Sequence, residues 1–424
     1  MKSKNKMYVT IAGILSLLSS LLPSVQAEDG VTDTEIIIGG VLDLEGRSSG
    51  LGLGMKAGIE AALQNQTVAG RKVRFLPAND SYTPDKAVAA TQQLIEQKVL
   101  LFAGNVGTPT AKVVLPLLEA QQIPAVGFFT GAGLLRPGKG DIINFRASYV
   151  QETKRVIDAA LQNGVKPTEV CAYVQNDAYG MAGVQGIKEA LQGKEGTAET
   201  LAAIDKVLTL QGDDVPRNGI APIGAYTRNT FIAREGYDSL KAWETSHNTR
   251  CKLIVSVGTY EAIARFIAYA NSKAEPWIFS AVSFTGADDF RKTLNKFTIK
   301  DRIIMTQVVP LPDSELPIVQ EARNTLGKDY GYVSQEGYIV GKLLLHGLRK
   351  LETDNKPITR ANLLTTFKGQ QFDLGGLNMN FTNDNQGSDF VVMTQYSPDK
   401  WQALQDSAWK TWLAPQQKTP QADK

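Results

Sequence analysis

Cysteine and histidine are scarce in this chain, at two residues each among 424. Cys171, Cys251, His247 and His346 do not fall at the spacings of a four-ligand zinc site, so no metal centre is expected. Two histidines also leave little room for nucleophilic chemistry of the Ser-His-acid kind. No cofactor is expected either. Charge of one sign is lacking as well: 45 Lys and Arg face 43 Asp and Glu, for a formal net charge of +2. Such balance argues against nucleic acid as a partner, which calls for a basic face. It is also unlike a polybasic protein of the membrane surface. No apolar run beyond the N-terminal region approaches the ~20 residues that a bilayer-spanning helix needs.

What is present starts with Lys2, Lys4 and Lys6, an apolar run from Tyr8 to Leu22, and the small-residue end Val25-Gln26-Ala27. That pattern predicts a secretory signal peptide over residues 1–27. The apolar run is short for a membrane anchor, and no cysteine near the cleavage site offers a lipid attachment. Its removal takes away three lysines and no acids, leaving a formal charge of −1 on about 397 residues. So long a chain exceeds one hydrophobic core, and two domains are expected. Export permits a disulfide between the two cysteines, although two buried thiols at strand starts fit equally well.

Short apolar runs alternate with helical periods. Strands are expected at 35–44, 72–78, 99–103, 123–128 and 142–146, with helices at 54–66, 83–98 and 109–121 between them. The rhythm restarts with a helix at 151–162, strands at 169–175 and 197–202, and further strands at 252–257, 277–282 and 302–308. A polar stretch at about 206–234 reads as an insertion, and a long helix is expected over 332–351. Strands that are apolar throughout and separated by helices are parallel and buried on both faces. The fold class is therefore α/β, with two doubly wound parallel sheets. Such sheets bind ligands beyond the carboxyl ends of their strands, and two with facing carboxyl ends share one cleft.

The stretch EGRSSGLGLGMKAG at 45–58 holds overlapping motifs. Gly46-Arg47-Ser48-Ser49-Gly50 fits the nucleophile elbow of hydrolases, and Gly52, Gly54 and Ala57 fit a dinucleotide fingerprint. An elbow needs a histidine partner; His247 lies in polar SHNTR and His346 inside helical KLLLHGL. A fingerprint needs its first glycine directly after the strand, whereas Gly52 comes about eight residues later. The stretch is read as a cleft loop leading into a helix, with Arg47 and Ser48 facing a ligand or the other domain.

Better signals lie at strand exits. Gly104-Asn105-Val106-Gly107-Thr108-Pro109-Thr110 follows a strand and opens a helix, with Thr108 as the expected N-cap and Pro109 at the first helical position. Free amides there suit an anion. The next exit carries Phe129, Thr130 and Gly131; later ones carry Asp177 and Tyr179, Thr259 and Tyr260, and Ser283 and Phe284. Aromatics beside hydroxyls and glycines at five exits suit an organic molecule with an apolar body and a polar head.

These segments, together with FTGAGLLRP, NFRASYVQET, VQNDAYG, SQEGYIVGKLL and FDLGGL, make the sequence similar to the type I periplasmic binding proteins of the leucine/isoleucine/valine-binding kind. The resemblance spans nearly the whole mature chain. It implies two lobes joined by three hinge crossovers, no enzymatic activity, a location in the periplasm, and delivery of a solute to a membrane ABC permease by a monomeric protein. A lobe of residues 28–146 with about 331–350 and part of the tail is expected, then a lobe of 147–310, then crossover segments and tail over 351–424. It matches Thr108, Thr130, Gly131, Tyr179 and Tyr260 to the family's solute contacts, and the loops themselves add Ser48, Asn105, Thr110, Phe129, Asp177, Thr259, Ser283 and Phe284 to the expected site. It also makes the strands begun by Cys171 and Cys251 neighbours, within disulfide range. Amino-acid binders of this family place an acid near Ser283 to meet the ligand's ammonium, but no acid follows here until Asp288. A carboxylate with an apolar or aromatic body is the expected ligand, and Asp177 is the acid through which an amino acid would still fit. The same lobes would serve a ligand sensor docked on a membrane signalling partner; a secreted serine hydrolase is the remote alternative.

Overall fold

The computed structural model describes residues 28–138 and 141–414; the expected signal peptide lies outside the described residues. The first sheet contains β1 (Glu35–Leu42), β2 (Thr67–Val68), β3 (Arg71–Asn79), β4 (Leu101–Ala103), β5 (Ala125–Val126) and β6 (Ile142–Ile143), in the order β2-β3-β1-β4-β5-β6. Only the β2–β3 pair is antiparallel. Helices α1 (Ser49–Leu63), α2 (Pro84–Glu96) and α3 (Thr108–Ala120) link its strands. Strand β1 lies between β3 and β4, so the order reverses there, which is where a crevice opens at the carboxyl edge.

The chain then enters the second lobe through α4 (Tyr149–Gln162) and runs through β7 (Val170–Gln175), α5 (Ala178–Leu191), α6 (Ala198–Thr209), β8 (Ile223–Tyr226), α7 (Arg234–Ser246), β9 (Leu253–Val257), α8 (Tyr260–Ser272), β10 (Ile278–Ala281), α9 (Ala287–Lys296) and β11 (Ile303–Gln307). It returns to the first lobe with α10 (Pro317–Leu326), α11 (Tyr332–Thr353) and α12 (Arg360–Thr365), followed by a hairpin of β12 (Gln371–Leu374) and β13 (Leu377–Asn380). Last come β14 (Val392–Tyr396), β15 (Trp401–Ala403) and α13 (Asp406–Leu413). The second sheet runs β15-β14-β11-β10-β9-β7-β8. The chain thus passes between the lobes three times, after β6, after β11 and before β14. The fold is α/β with two sheets dominated by parallel strands.

Several segments differ from expectation, among them residues 49–53, read as part of a loop before a helix at 54–66, which instead open α1. Residues 197–202 were expected as a strand and instead open α6, because Thr200, Ala203, Ile204 and Val207 bury one helical stripe. The polar stretch at 206–234 contains β8, the edge strand beside β7. The tail strands β14 and β15 join the second sheet, β14 antiparallel to β11 and β15 antiparallel to β14.

The first lobe closes by an intimate pairing of α1 and α11. A side chain at Gly58 would place its Cβ 2.1 Å from the Ser334 carbonyl oxygen, and one at Gly337 would lie 2.5 Å from that of Met55. Backbone contact of this kind demands glycine on both helices. Around it Met55, Ile59, Ile339 and Leu343 are fully buried, each worth about 1.5–3 kcal/mol relative to exposure. The second lobe has a covalent brace. Cys171 and Cys251 are disulfide-bonded with Cα atoms 5.7 Å apart, on the paired strand starts of β7 and β9.

Candidate functional site

The loops at the carboxyl ends of both sheets meet between the lobes. Four rings form the centre: Tyr82 and Phe129 from the first lobe, Tyr179 and Phe284 from the second. The Phe284 ring lies 6.1 Å from Tyr82, 5.1 Å from Phe129 and 4.8 Å from Tyr179, centroid to centroid. Tyr149, at the start of α4, adds a fifth ring 5.2 Å from Tyr179. All five are buried.

Local geometry explains how each ring arrives. Ser81 and Tyr82 both take left-handed φ values, +49° and +54°, after β3. That costly turn swings the Tyr82 ring toward the second lobe, where Gln175 Nε2 donates to its hydroxyl at 3.1 Å. Phe129 is fixed by its backbone N–H on the Asn105 carbonyl at 2.8 Å. The Tyr179 hydroxyl donates to the Gly258 carbonyl at 3.3 Å. Phe284 sits on a single 3-10 turn, Ser283–Thr285, directly after β10.

Hydroxyl groups line the first lobe's side of these rings. Thr108 is the first residue of α3 and not its cap. Gly107 precedes it at φ +102°, and the Thr108 hydroxyl turns away from the helix to meet the Thr130 hydroxyl at 2.6 Å. The Thr110 hydroxyl is spent on the Val106 carbonyl at 2.6 Å. Asn105 accepts from the Val41 N–H at 3.2 Å, while its buried Nδ2 has no partner. The Tyr149 hydroxyl, also buried, has none. Burial pushes that phenol up to about 12, so it remains a donor at neutral pH. Gly131 lies under Tyr149, whose N–H donates to its carbonyl at 2.8 Å.

Across such geometry the chain is similar to a possible leucine/isoleucine/valine-binding protein from Rhodopirellula baltica, at 30% identity and a TM-score of 0.77, over 92% of this chain and 100% of that one. The chain belongs to the leucine/isoleucine/valine-binding-protein-like family of type I periplasmic binding proteins. A family model described as periplasmic binding protein matches residues 35–213. Two further structures share the fold alone. One is a branched-chain amino acid ABC transporter protein from Thermus thermophilus with bound valine, 12% identical with a TM-score of 0.68 over 90% of this chain and 99% of that one. The other is a solute-binding protein from R. palustris in complex with benzoate, 16% identical with a TM-score of 0.68 over 88% and 98%. No curated protein sequence matches.

For this periplasmic binding protein, the charged groups of the interlobe region are those that sequence reasoning missed. An acid does reach Ser283, but it comes from α4. Glu152 accepts from the Ser283 N–H at 2.7 Å, the Ser283 hydroxyl at 2.9 Å and the Thr306 hydroxyl at 2.6 Å. Arg146 pairs with it at 3.3 Å and also donates to the Ser283 hydroxyl. Glu336 of α11 lies 3.4 Å from the other side of the guanidinium, and burial raises its carboxyl to about 7. The Arg146 plane stands 5.1 Å over the Phe129 ring. Asp177 is no free acid. It caps α5 through the Tyr179 N–H, accepts from Gln175, and pairs with Arg228 at 2.8 Å. Burial still pushes its carboxyl up, with Arg228 opposing. Asp288 accepts from the Tyr332 N–H at 2.8 Å.

The remaining expected residues lie toward the cleft mouth or behind the rings. The Thr259 N–H donates to the Tyr226 hydroxyl at 3.1 Å. The Tyr260 hydroxyl donates to the Arg47 carbonyl at 3.2 Å, a bond between lobes. Ser48 is buried at the head of α1. Neither histidine is near it in the bonding pattern: His247 stacks on Trp243 and His346 on Phe372. Arg146 and Glu152 stand inside the segment NFRASYVQET, and Tyr82 follows a strand exit, so all three were visible as positions without their roles.

Proposed function

We propose that this protein is the periplasmic solute-binding component of an ABC importer, and that it captures a small organic carboxylate with an apolar or aromatic body by closing its lobes. The observation that carries the reading is the interlobe box of Tyr82, Phe129, Tyr179 and Phe284, edged by the Thr108–Thr130 hydroxyl pair and the unpartnered Tyr149 hydroxyl. Rings from both lobes supply the apolar surface for the body of a solute, and hydroxyl donors at one end receive a carboxylate. The interlobe acids are occupied or weakened as counter-charges. Asp177 belongs to Arg228, Glu152 to Arg146, and Glu336 carries a proton much of the time at neutral pH, while burial also raises the carboxyls of Asp43 and Asp80 beyond β1 and β3, Asp80 to about 7. An ammonium buried there would lack a dedicated partner, which is costly. Ser48 performs no chemistry here; it precedes α1, and its backbone carbonyl accepts from the Leu51 N–H at 2.9 Å.

A thermal-shift screen of aryl and branched alkyl carboxylates, their amides and the matching amino acids tests the proposal. A binder at a hundredfold excess over its dissociation constant stabilises the native state by ~2.7 kcal/mol. Carboxylates raise the melting temperature most, without being consumed. Equal or larger shifts from amides, or loss of the compound on incubation, sink it.

A further inference from the structure

The four rings between the lobes are not equally held. Tyr82 and Tyr179 are tied by their hydroxyls, and Phe129 is packed beneath the Arg146 guanidinium. Phe284 has no such tether, and its neighbours are pinned on both sides. Ser283 is bonded to Glu152 through its N–H and hydroxyl, and the Thr285 hydroxyl donates to the Gly258 carbonyl at 2.9 Å. The turn is therefore a fixed bracket carrying one side chain that has only two torsions and no polar bond. That side chain reaches from the second lobe into the first, between Tyr82 and Phe129, and the residue after Phe129 is Thr130, half of the hydroxyl pair.

We propose that Phe284 determines the size of the solute: its ring fills the slot for a phenyl-sized apolar body beside the hydroxyl pair, and the solute enters by displacing it. The assignment rests on the solute-binding reading and adds to it a specific dimension. A displaced Phe284 leaves room for one aryl or branched alkyl group, and a larger body meets the tethered tyrosines.

Three variants and two probes test this. Phe284→Ala leaves a ring-sized cavity, and apolar cavities of that size accept benzene. Benzene raises the melting temperature of Phe284→Ala and leaves the wild type unmoved. Benzoate binds Phe284→Ala about tenfold tighter than wild type, because no side chain has to leave, and binds Phe284→Trp about tenfold more weakly. Phe284→Leu falls between wild type and Phe284→Ala and replaces the latter if the alanine variant does not fold. The proposal is overturned if benzene fails to protect the small-residue variant, or if truncation weakens benzoate and acetate alike, which would make Phe284 an ordinary wall contact. Protection by benzene with no benzoate binding to any variant keeps the slot and refutes the carboxylate reading instead.

Discussion

The two lobes share one architecture but are held together differently. The second lobe is braced along its sheet: a disulfide joins the starts of β7 and β9, and β14 and β15 widen the sheet beyond β11. The first lobe has no cysteine, and its sheet ends in short strands. Its stability concentrates in one helix pair, where glycines let α1 and α11 touch backbone to backbone. The cleft divides along the same line. The first lobe offers the Thr108–Thr130 hydroxyl pair and the unpartnered Asn105 Nδ2, whereas the second offers charges already paired, the Tyr149 hydroxyl and the bracket that carries Phe284. A lobe stapled along its sheet, with its cleft acids paired, thus faces a lobe held by one helix pair.

That contrast can be broken from either side. Removing the disulfide by Cys171→Ala with Cys251→Ala has the largest expected effect. It frees a loop of 80 residues, worth about 4 kcal/mol in the loop-entropy account, and calorimetry shows the second lobe melting earlier with the first unchanged. Gly58→Val strikes the other lobe. Its side chain collides with the Ser334 carbonyl, which cannot retreat without lifting α11, and about 3 kcal/mol of first-lobe stability is lost. If both variants lower a single common transition, the lobes are not separately braced and the comparison fails.

Glu336 sharpens the picture at the joint between lobes. Its folded carboxyl is raised from 4.5 to about 7 by burial, so the folded state holds its proton more tightly than the unfolded chain does. The stability that this group contributes is complete below about pH 4.5 and is lost as pH rises through about 7. Glu336→Gln removes that slope, and denaturant titrations at pH 5 and pH 8 then differ less than in wild type; an unchanged slope contradicts it. The smallest effect comes from Thr108→Val. Loss of the Thr130 bond costs about 1 kcal/mol, confined to the first lobe, while carboxylate affinity falls. Affinity that survives the substitution moves the anionic head away from the hydroxyl pair.

The alternation of buried strands with helices was legible because parallel strands covered on both faces leave unbroken apolar runs. Residues 197–202 misled because six residues of Thr, Ala, Glu and Leu are too few to display a helical period, and packing against the lobe decides. The tail strands β14 and β15 were not legible: MTQY and WQA alternate weakly, and an antiparallel edge needs little apolar sequence. In the candidate site, residues at strand exits could be located one by one. Partnership could not. Glu152 reaches Ser283 over 131 positions and Gln175 reaches Tyr82 over 93, distances along the chain at which no local pattern survives. The Thr108 hydroxyl shows the same limit at short range: N-cap chemistry was the local choice, and Thr130 outbid it.

The return of the chain to each lobe late in the sequence has a consequence for biosynthesis. Helix α11, at 332–353, covers α1, and β14 and β15 arrive only after residue 391. A nascent chain halted near residue 330 carries every strand of the first sheet yet leaves Met55 and Ile59 without their cover. Neither half can reach its final form on the ribosome before nearly all of the polypeptide has been made.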